Sequence, residues 1–275
     1  MELKPTGAAL GAEICGVDLR RPLRDADRDR LRDALARYGV LFMRGQELDP
    51  DAFVQFASNF GEIERYDSTL RKYLLDERPE IIVLSNIEKD GKPIGVVDAG
   101  TYWHTDRSYV KQPAWSSCLY AIEVPHAADG TPLGDTEFAS MTKAYEGLPA
   151  DERERLRSLS AWHEYVFRFS EKNDSMPGVR WPVVLKHPLT GALCLYVNQG
   201  FTHRILDVPE DEGKALIEKL FEHAKRPEFV YRHQWKVGDL LLWDNYSTQH
   251  RATGGYQLPQ RRHMWRTTIQ GFPIQ

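Results

Sequence analysis

Two histidines and one aspartate have the types and the spacing of a metal site. His104 and Asp106 are two residues apart, and His250 follows far downstream, after a Trp-Asp-Asn segment. On an extended strand, side chains two residues apart share a face, so His104 and Asp106 could bind one ion together. A third ligand from a distant strand would complete one face of an octahedron and leave the other open, as non-haem Fe(II) oxygenases require. The three residues therefore predict a two-histidine, one-carboxylate iron site.

Two arginines near the end of the chain point to an anionic ligand. Arg262 and Arg266 alternate with Met264 and Thr268 on one face of a predicted strand, whereas His263 should point away. Inward guanidinium groups need anionic partners, and their planar fork suits carboxylates. Four steps of roughly 3.3 Å separate the two groups by about 13 Å along the strand. This spread suits one long diacid beside the metal, or a diacid and an anionic substrate; the alternative is pairing with surface acids.

The order of motifs along the chain resembles that of one enzyme family. The chain is similar, nearly from end to end, to the taurine dioxygenase and 2,4-dichlorophenoxyacetate dioxygenase family of Fe(II)/2-oxoglutarate enzymes. The segments that carry the resemblance are residues 7–23, 39–46, 103–106, 134–136, 197–202, 243–245 and 259–268. Many matches in one order are more specific than any single match. The resemblance implies Fe(II), 2-oxoglutarate as a co-substrate, and O2.

The same resemblance implies roles for particular residues. His104, Asp106 and His250 would bind iron, and two residues would hold the far carboxylate of 2-oxoglutarate, namely Thr136 and Arg262. Arg266 would face the metal-side carboxylate or the anionic group of the substrate. The predicted substrate contacts are Arg107, Phe201, Arg266 and Tyr102. Tyr102 belongs to a group of aromatic residues around the clamp that we otherwise interpret as packing residues, although one face must look into the pocket.

Two departures from the family pattern bear on the substrate. The family often has Asn-Arg ahead of the distal histidine, where this chain has Asn245-Tyr246. The taurine enzyme binds its sulfonate partly through a histidine that precedes the iron clamp, and residues 66–86 of this chain contain no histidine. Taurine is therefore not favoured as the substrate. Asp106 also argues against a halogenase, because that branch lacks the carboxylate.

The composition fits one globular domain spanning residues 1–275. The chain has 275 residues, 41% of them hydrophobic, and a formal net charge of -4, so nothing indicates a nucleic-acid surface. No apolar run approaches the roughly 20 residues of a membrane helix, and the first residues lack an apolar signal core. Three widely spaced cysteines indicate neither a disulfide frame nor a zinc knuckle. We expect a cytoplasmic protein without membrane or nucleic-acid partners, assembled as a homodimer or homotetramer.

Short strands framed by helices are predicted along the chain. Helices are expected from Asp25, as the N-cap, to Tyr38, from the Asp49-Pro50 pair to Gly61, and over residues 210–226. Strands are expected at residues 40–43, 81–84, 116–122, 229–234 and 240–243. The fold class is mainly β with flanking helices, and the family resemblance implies a double-stranded β-helix, or cupin-like jelly roll. Segments 65–100 and 162–182 are polar and irregular, which is typical of lids over a substrate.

We predict an Fe(II)- and 2-oxoglutarate-dependent dioxygenase that hydroxylates a small organic anion. The anion would be a sulfonate, a sulfate ester or a carboxylate, and the hydroxylated product could then undergo bond cleavage. A metal-dependent hydrolase or isomerase on the same barrel, and a non-catalytic sensor of organic acids, stay open as alternatives. The remaining histidines are expected to be surface or packing residues: His126, His163, His187, His203, His223 and His233.

Overall fold

The computed structural model describes residues 1–66, 68–76, 78–97, 100–165 and 177–272, and β-structure predominates in them. The helices in this part of the chain are α1 (Asp25–Tyr38), α2 (Pro50–Ser58), α3 (Met141–Glu146), α4 (Ala150–Leu156) and α5 (Glu210–Ala224), with 3-10 turns at Ser68–Tyr73 and Pro227–Phe229. The strands are β1 (Glu2–Pro5), β2 (Ala12–Cys15), β3 (Val40–Met43), β4 (Leu74–Leu75), β5 (Arg78–Ser85), β6 (Glu88–Lys89), β7 (Lys92–Pro93), β8 (Ala114–Glu123), β9 (Thr136–Ser140), β10 (Ser160–His163), β11 (Val179–Pro182), β12 (Val184–Lys186), β13 (Leu193–Leu195), β14 (Thr202–Ile205), β15 (Val230–His233), β16 (Leu240–Asp244), β17 (Thr248–Ala252) and β18 (His263–Gln270). The predicted class, mainly β with flanking helices, is confirmed.

Two sheets face each other around the smaller of two apolar cores. The large sheet has the strand order β1-β2-β3-β16-β8-β18-β5-β4, and the facing sheet has the order β15-β9-β17. Strand neighbours are antiparallel except for β2 and β3. Phe138 of β9 and Trp243 of β16 pack across the gap with ring centroids 5.7 Å apart. Smaller pairings complete the β-structure: β11-β10-β14, β12-β13 and β6-β7.

Helices α1 and α2 cover the outer face of the large sheet. Phe53 of α2 is fully buried and lies against Tyr120 of β8 and Trp265 of β18, with ring centroids 6.2 and 6.3 Å apart. Burying such a ring stabilises the fold by about 2 kcal/mol. The Asp49 side chain caps α2 by accepting a hydrogen bond from the Ala52 N–H at 2.8 Å, as predicted.

The predicted bounds of α1 and α2 each need one correction. Asp25 is the first helical residue of α1, and Arg24 occupies the N-cap without a side-chain cap bond, so Asp25 acts as a negative charge in the first turn. α2 ends at Ser58, before Gly61. Gly39 ends α1 in the left-handed conformation at a φ of 70°, and its N–H donates to the Leu35 carbonyl. The chain can therefore turn directly into β3.

The segments predicted as lids are only partly irregular. Within residues 65–100, β5 pairs with β18 inside the large sheet, because its apolar residues 81–84 are buried on both faces. Residues 67, 77, 98 and 99 of this segment lie outside the described residues, as do residues 166–176 of the second segment. The described remainder of the second segment forms parts of β10 and β11, which pair with each other. The lid roles stay predictions.

Candidate metal centre

Three buried side chains meet where the facing sheets come together. One ligand atom from each of His104, Asp106 and His250 lies within 4.8 Å of the others. Asp106 Oδ1 is 3.6 Å from His104 Nε2 and 3.9 Å from His250 Nε2. The two imidazole centroids are 4.2 Å apart. The tertiary structure thus brings together the three residues that the sequence selected as ligands.

The backbone reaches this geometry differently from the sequence prediction. His104 forms an isolated bridge with His250 of β17, in which each N–H donates to the other residue's carbonyl at 3.0 and 2.8 Å. Directly after the bridge, the chain turns at Asp106, and Arg107 has a left-handed φ of 57°. The clamp is therefore extended only at His104, and the prediction that it lies on a strand is wrong for Asp106. In a strand, the Asp106 N–H would donate to the backbone of a neighbouring strand. In this turn it donates to a side-chain acceptor instead.

Two glycines leave room for the first ligand. A Cβ on Gly100 would lie 2.5 Å from His104 Cε1, and Gly100 also has a left-handed φ of 77°. A Cβ on Gly200 would lie 2.9 Å from His104 Cβ and 2.7 Å from Tyr102 Cε2. Neither distance is compatible with a side chain, so both positions require glycine while His104 holds its present place.

Asp106 is held by charged and neutral donors at once. Arg266 Nη2 is 2.5 Å from Oδ1, and the Ser117 hydroxyl donates to Oδ2 at 2.7 Å. The Asp106 N–H donates to Asn245 Oδ1 at 3.2 Å. Burial alone would raise the pKa of Asp106, but the charge of Arg266 and the hydrogen bond from Ser117 outweigh it and hold this pKa well below its usual range. The side chain is thus a fixed carboxylate, as a metal ligand must be.

The Trp243-Asp244-Asn245 segment supports this carboxylate. Asn245 accepts from Trp243 Nε1 at 3.1 Å and donates through Nδ2 to Ser117 Oγ at 3.2 Å, so its amide orientation is defined by three contacts. Asp244 is anchored by His187 Nε2 at 2.7 Å and accepts the Tyr246 N–H. These bonds shape the connection from β16 to β17, and β17 carries His250.

Both histidines of the cluster are held as neutral imidazoles. His104 Nδ1 lies 2.8 Å from the Tyr102 carbonyl, which can only accept, so Nδ1 carries the proton and Nε2 presents its lone pair. Burial lowers the pKa of His104, and burial together with His104 lowers the pKa of His250 well below its usual value. Two neutral imidazoles and one carboxylate, all buried, are a donor set that suits Fe(II).

The residues predicted for the keto acid are both buried. Thr136 begins β9, and its hydroxyl accepts a hydrogen bond from Trp235 Nε1 at 3.0 Å. Arg262 precedes β18, with its Cζ 5.9 Å from the Tyr256 ring, and Nε is buried without a hydrogen-bond partner in the described part of the chain. Burial lowers the pKa of Arg262, and Tyr256 partly offsets that effect.

The predicted substrate contacts divide into an aromatic and a charged group. Phe201 is 6.1 Å from the His104 ring and 6.3 Å from the Tyr102 ring, and Tyr109 packs on Phe201 at 4.7 Å. Arg107 is on the same turn as Asp106 and forms a salt bridge with Glu64. These aromatic rings form one wall beside His104.

Sequence reasoning missed three residues here: Ser117, Glu64 and Trp235. Little in the local sequence marks these three residues as functional, because their partners are far away in the chain. Burial raises the pKa of Glu64, and Arg107 and Arg266 oppose that rise. Two adjacent serines, Ser116 and Ser117, inside the mainly apolar strand β8 were the one local signal available.

The remaining histidines have other roles. Among the described residues, the cluster of His104, Asp106 and His250 is the one group of possible metal ligands. His187 and His233 are buried beside the carboxylates of Asp244 and Asp239, and His163 lies 3.2 Å from the Thr202 hydroxyl. No helix in the described ranges combines the length and the apolar character needed to cross a membrane.

Comparisons with known proteins place the chain in a family. The sequence profile of the family described as "Taurine catabolism dioxygenase TauD, TfdA family" matches residues 2–268. An alpha-ketoglutarate-dependent 2,4-dichlorophenoxyacetate dioxygenase from Burkholderia sp. (strain RASC) is 34% identical, over 94% of this chain and 91% of its own. A crystal structure of a taurine dioxygenase from Burkholderia xenovorans superposes with a TM-score of 0.84 at 33% identity, covering 98% of this chain and 89% of its own. The structure of AAD-2 in complex with Mn(II) and N-oxalylglycine gives a TM-score of 0.83 at 28% identity, covering 99% and 98%.

These similarities extend over almost the whole chain, at identities that go beyond a shared fold. The relative's name also confirms the predicted enzyme class, an oxidoreductase that depends on alpha-ketoglutarate, which is 2-oxoglutarate. The chain therefore belongs to the TauD, TfdA family of alpha-ketoglutarate-dependent dioxygenases.

Proposed function

We propose that this protein uses Fe(II), 2-oxoglutarate and O2 to hydroxylate a small organic anion. His104, Asp106 and His250 would hold the metal. The observation that carries the proposal is their approach within 4.8 Å in a buried site with a guanidinium beside the carboxylate. The reaction balances as substrate, 2-oxoglutarate and O2 giving hydroxylated substrate, succinate and CO2. Bound Fe(II) would supply the redox chemistry that couples decarboxylation of the keto acid to oxidation of a C–H bond.

The protein's own residues would then position the two organic molecules. Thr136 and Arg262 would hold the far carboxylate of 2-oxoglutarate, since a hydroxyl and a guanidinium are both donors. The aromatic wall around Phe201 would exclude water from the other side of the site. Tyr102, whose ring is 5.0 Å from that of His104, would contact the substrate from the same wall.

Arg266 supports an anionic substrate. One of its Nη groups faces Asp106, while its Nε is buried without a hydrogen-bond partner among the described residues. Such a group would gain a charge-assisted hydrogen bond from a sulfonate, sulfate or carboxylate oxygen. Arg107 would approach the same anion from the turn after Asp106. Its salt bridge with Glu64 would weaken its attraction for that anion. The named relative acts on 2,4-dichlorophenoxyacetate, and an aryloxy carboxylate is accordingly one candidate class.

Anaerobic spectroscopy and product analysis test the proposal together. Fe(II) and 2-oxoglutarate added to the wild-type protein should produce a weak visible charge-transfer band. The His250→Ala variant should lack the band, whereas His126→Ala, which removes an exposed histidine outside the site, should retain it. A panel of sulfonates, alkyl sulfates, aryloxyalkanoates and amino acids should reveal substrates by succinate release. A hydrolase, an isomerase or a sensor would release no succinate in the presence of O2.

Finer features of the protein belong to the same proposal. We infer a double-stranded β-helix, because two facing sheets surround the metal ligands. A single domain over residues 1–275, with lids in segments 65–100 and 162–182, would enclose the substrate. A cytoplasmic location and assembly as a homodimer or homotetramer complete the proposal, and light scattering would measure the assembly.

A further inference from the structure

We propose that Trp235 is a positioning residue for the keto acid. Its indole N–H would orient the Thr136 hydroxyl so that the hydroxyl hydrogen points to the far carboxylate of 2-oxoglutarate. This inference rests on the proposed function, and it assigns a role to a fully buried residue of the core.

The two side chains are fixed with respect to each other. Trp235 is fully buried, and Thr136 is 5% exposed. Trp235 Nε1 lies 3.0 Å from Thr136 Oγ1. Thr136 is held on both sides, because β9 pairs it with His233 of β15 and with Ala252 of β17. The His233 ring packs edge-on against the indole, with centroids 4.6 Å apart. Strand pairing and burial therefore hold both side chains in this contact.

Hydrogen-bond arithmetic gives this contact a direction. An indole N–H can only donate, whereas a threonine hydroxyl has one hydrogen and two lone pairs. Thr136 Oγ1 must therefore accept from Trp235, and its own hydrogen stays available for another acceptor. In the described ranges, no protein acceptor lies within hydrogen-bond distance of that hydroxyl. A carboxylate has lone pairs and no hydrogen, so a hydroxyl held in this orientation is matched to it.

A buried cation without a carboxylate partner among the described residues lies against the same end of β9. Gly134, two residues before Thr136, has a φ of 72°, and a Cβ there would lie 3.4 Å from Arg262 Cδ and 2.8 Å from Tyr256 Cε1. Arg262 is 6% exposed, and no carboxylate of the described residues forms a salt bridge with it. A buried guanidinium without an acid needs an anion. The oriented hydroxyl and this guanidinium together would bind one carboxylate.

The experiment compares two keto acids that differ at the far end. 2-Oxoglutarate carries the far carboxylate, and 2-oxopentanoate has the same carbon chain without it. Calorimetric titration of the Mn(II)-loaded protein measures binding of each acid without turnover. Trp235→Phe should weaken 2-oxoglutarate binding by about 3- to 10-fold, the usual range for one lost hydrogen bond. Binding of 2-oxopentanoate should stay within about twofold.

Four further variants separate the effect of the hydrogen bond from that of packing. Trp115→Phe is the matched control, because Trp115 is equally buried and its Nε1 has no described partner; it should leave the affinity for both acids unchanged. Thr136→Val should reproduce the loss, Thr136→Ser should restore binding, and adding Trp235→Phe to Thr136→Val should cause no additional loss. Thr136→Val and Thr136→Ser also decide the hydroxyl's role if Trp235→Phe does not fold.

The outcomes separate this inference from the function on which it rests. Equal weakening of both acids by Trp235→Phe would mean that Trp235 only fills space, and unchanged binding of both would deny it any role. Either result overturns the inference while wild-type binding of 2-oxoglutarate stands. A wild-type protein that binds neither acid when loaded with metal would overturn the proposed function, and this inference with it.

Discussion

Asp106 and His250 contribute to one cluster, yet the protein positions them by different means. Asp106 is held by a guanidinium, a hydroxyl and a side-chain amide. His250 has no hydrogen-bond partner at Nδ1 among the described residues and instead packs between Phe138 and Trp243, with centroids 5.9 and 4.8 Å away. A buried carboxylate is charged and needs donors, whereas a neutral imidazole can be positioned by ring packing and by its strand.

The comparison teaches where polar substitutions should matter. On the Asp106 side, support depends on a few directional bonds, each of which can be removed singly. On the His250 side, support is distributed over many weak contacts and the β17 backbone, so one altered ring should be tolerated. Loss of a hydrogen bond near Asp106 should therefore change metal affinity, and loss of apolar contact near His250 should mainly change stability.

Removal of a ligand should have the largest effect. Asp106→Ala or His250→Ala should reduce Fe(II) affinity by more than the roughly 10- to 100-fold that an outer partner contributes, since one of three donors disappears. Anaerobic equilibrium dialysis measures this affinity. Asp106→Ala also leaves Arg266 without its partner. Wild-type affinity in either variant would refute the assignment of that ligand.

Ser117→Ala should have the next largest effect. It removes the 2.7 Å bond to Asp106 and should lower metal affinity by about 10- to 100-fold. Ser116→Ala is a matched control, because Ser116 is also fully buried on β8 but donates to the Trp243 carbonyl instead. Both variants should lose a similar amount of stability in urea unfolding, and only Ser117→Ala should lower the metal affinity. Equal affinities in the two variants would contradict the comparison.

Phe138→Leu should have a smaller effect on the metal. The ring is fully buried, so replacing it with the smaller leucine should cost about 1 to 2 kcal/mol of unfolding free energy, as a modest large-to-small core change does. Metal affinity should change by less than about threefold, because His250 keeps its backbone bonds to His104. Urea unfolding measures the expected loss of stability in this variant, and equilibrium dialysis measures its metal affinity. A loss of metal affinity as large as that of Ser117→Ala would show that ring packing is as directional as hydrogen bonding.

The smallest expected effect concerns the stability of the fold in acid, and it involves His163, which lies outside the metal cluster. Burial lowers the pKa of His163 to about 3, from an ordinary value of 6.5. Below a pH of 6.5 the unfolded chain binds a proton at this histidine and the folded chain does not. The stability of the fold therefore decreases as the pH is lowered, until the pH reaches the folded-state pKa. The slope is at most about 1.4 kcal/mol per pH unit.

His163→Gln should remove this contribution. Between pH values of roughly 7.5 and 5.5, the variant should lose about 1 kcal/mol less stability than the wild type. Urea midpoints at both pH values provide the measurement, and His126→Gln, at an exposed histidine, serves as the control. Parallel wild-type and His163→Gln curves would mean that the buried imidazole takes up its proton while folded.

Much of the fold was predictable where local physics decides it. The Asp49 cap, the apolar spacing of α1, α2 and α5, and the apolar run of β3 each depend on neighbours within a few residues. Element ends were less predictable: Asp25 proved to be a first-turn residue, and α2 stopped before Gly61. The strand predicted at residues 81–84 forms as part of β5, but its inner place in the large sheet depends on β18, from the far end of the chain.

The sequence by itself determined which side chains could bind a metal and an anion, because imidazole, carboxylate and guanidinium have few substitutes in that chemistry. Only the tertiary structure decided how they are held. The turn at Asp106, the Ser117 and Asn245 bonds and the Trp235–Thr136 contact join residues from distant parts of the chain. No local pattern encodes such pairs, since each arises only when the facing sheets have formed and every buried polar group must find a partner.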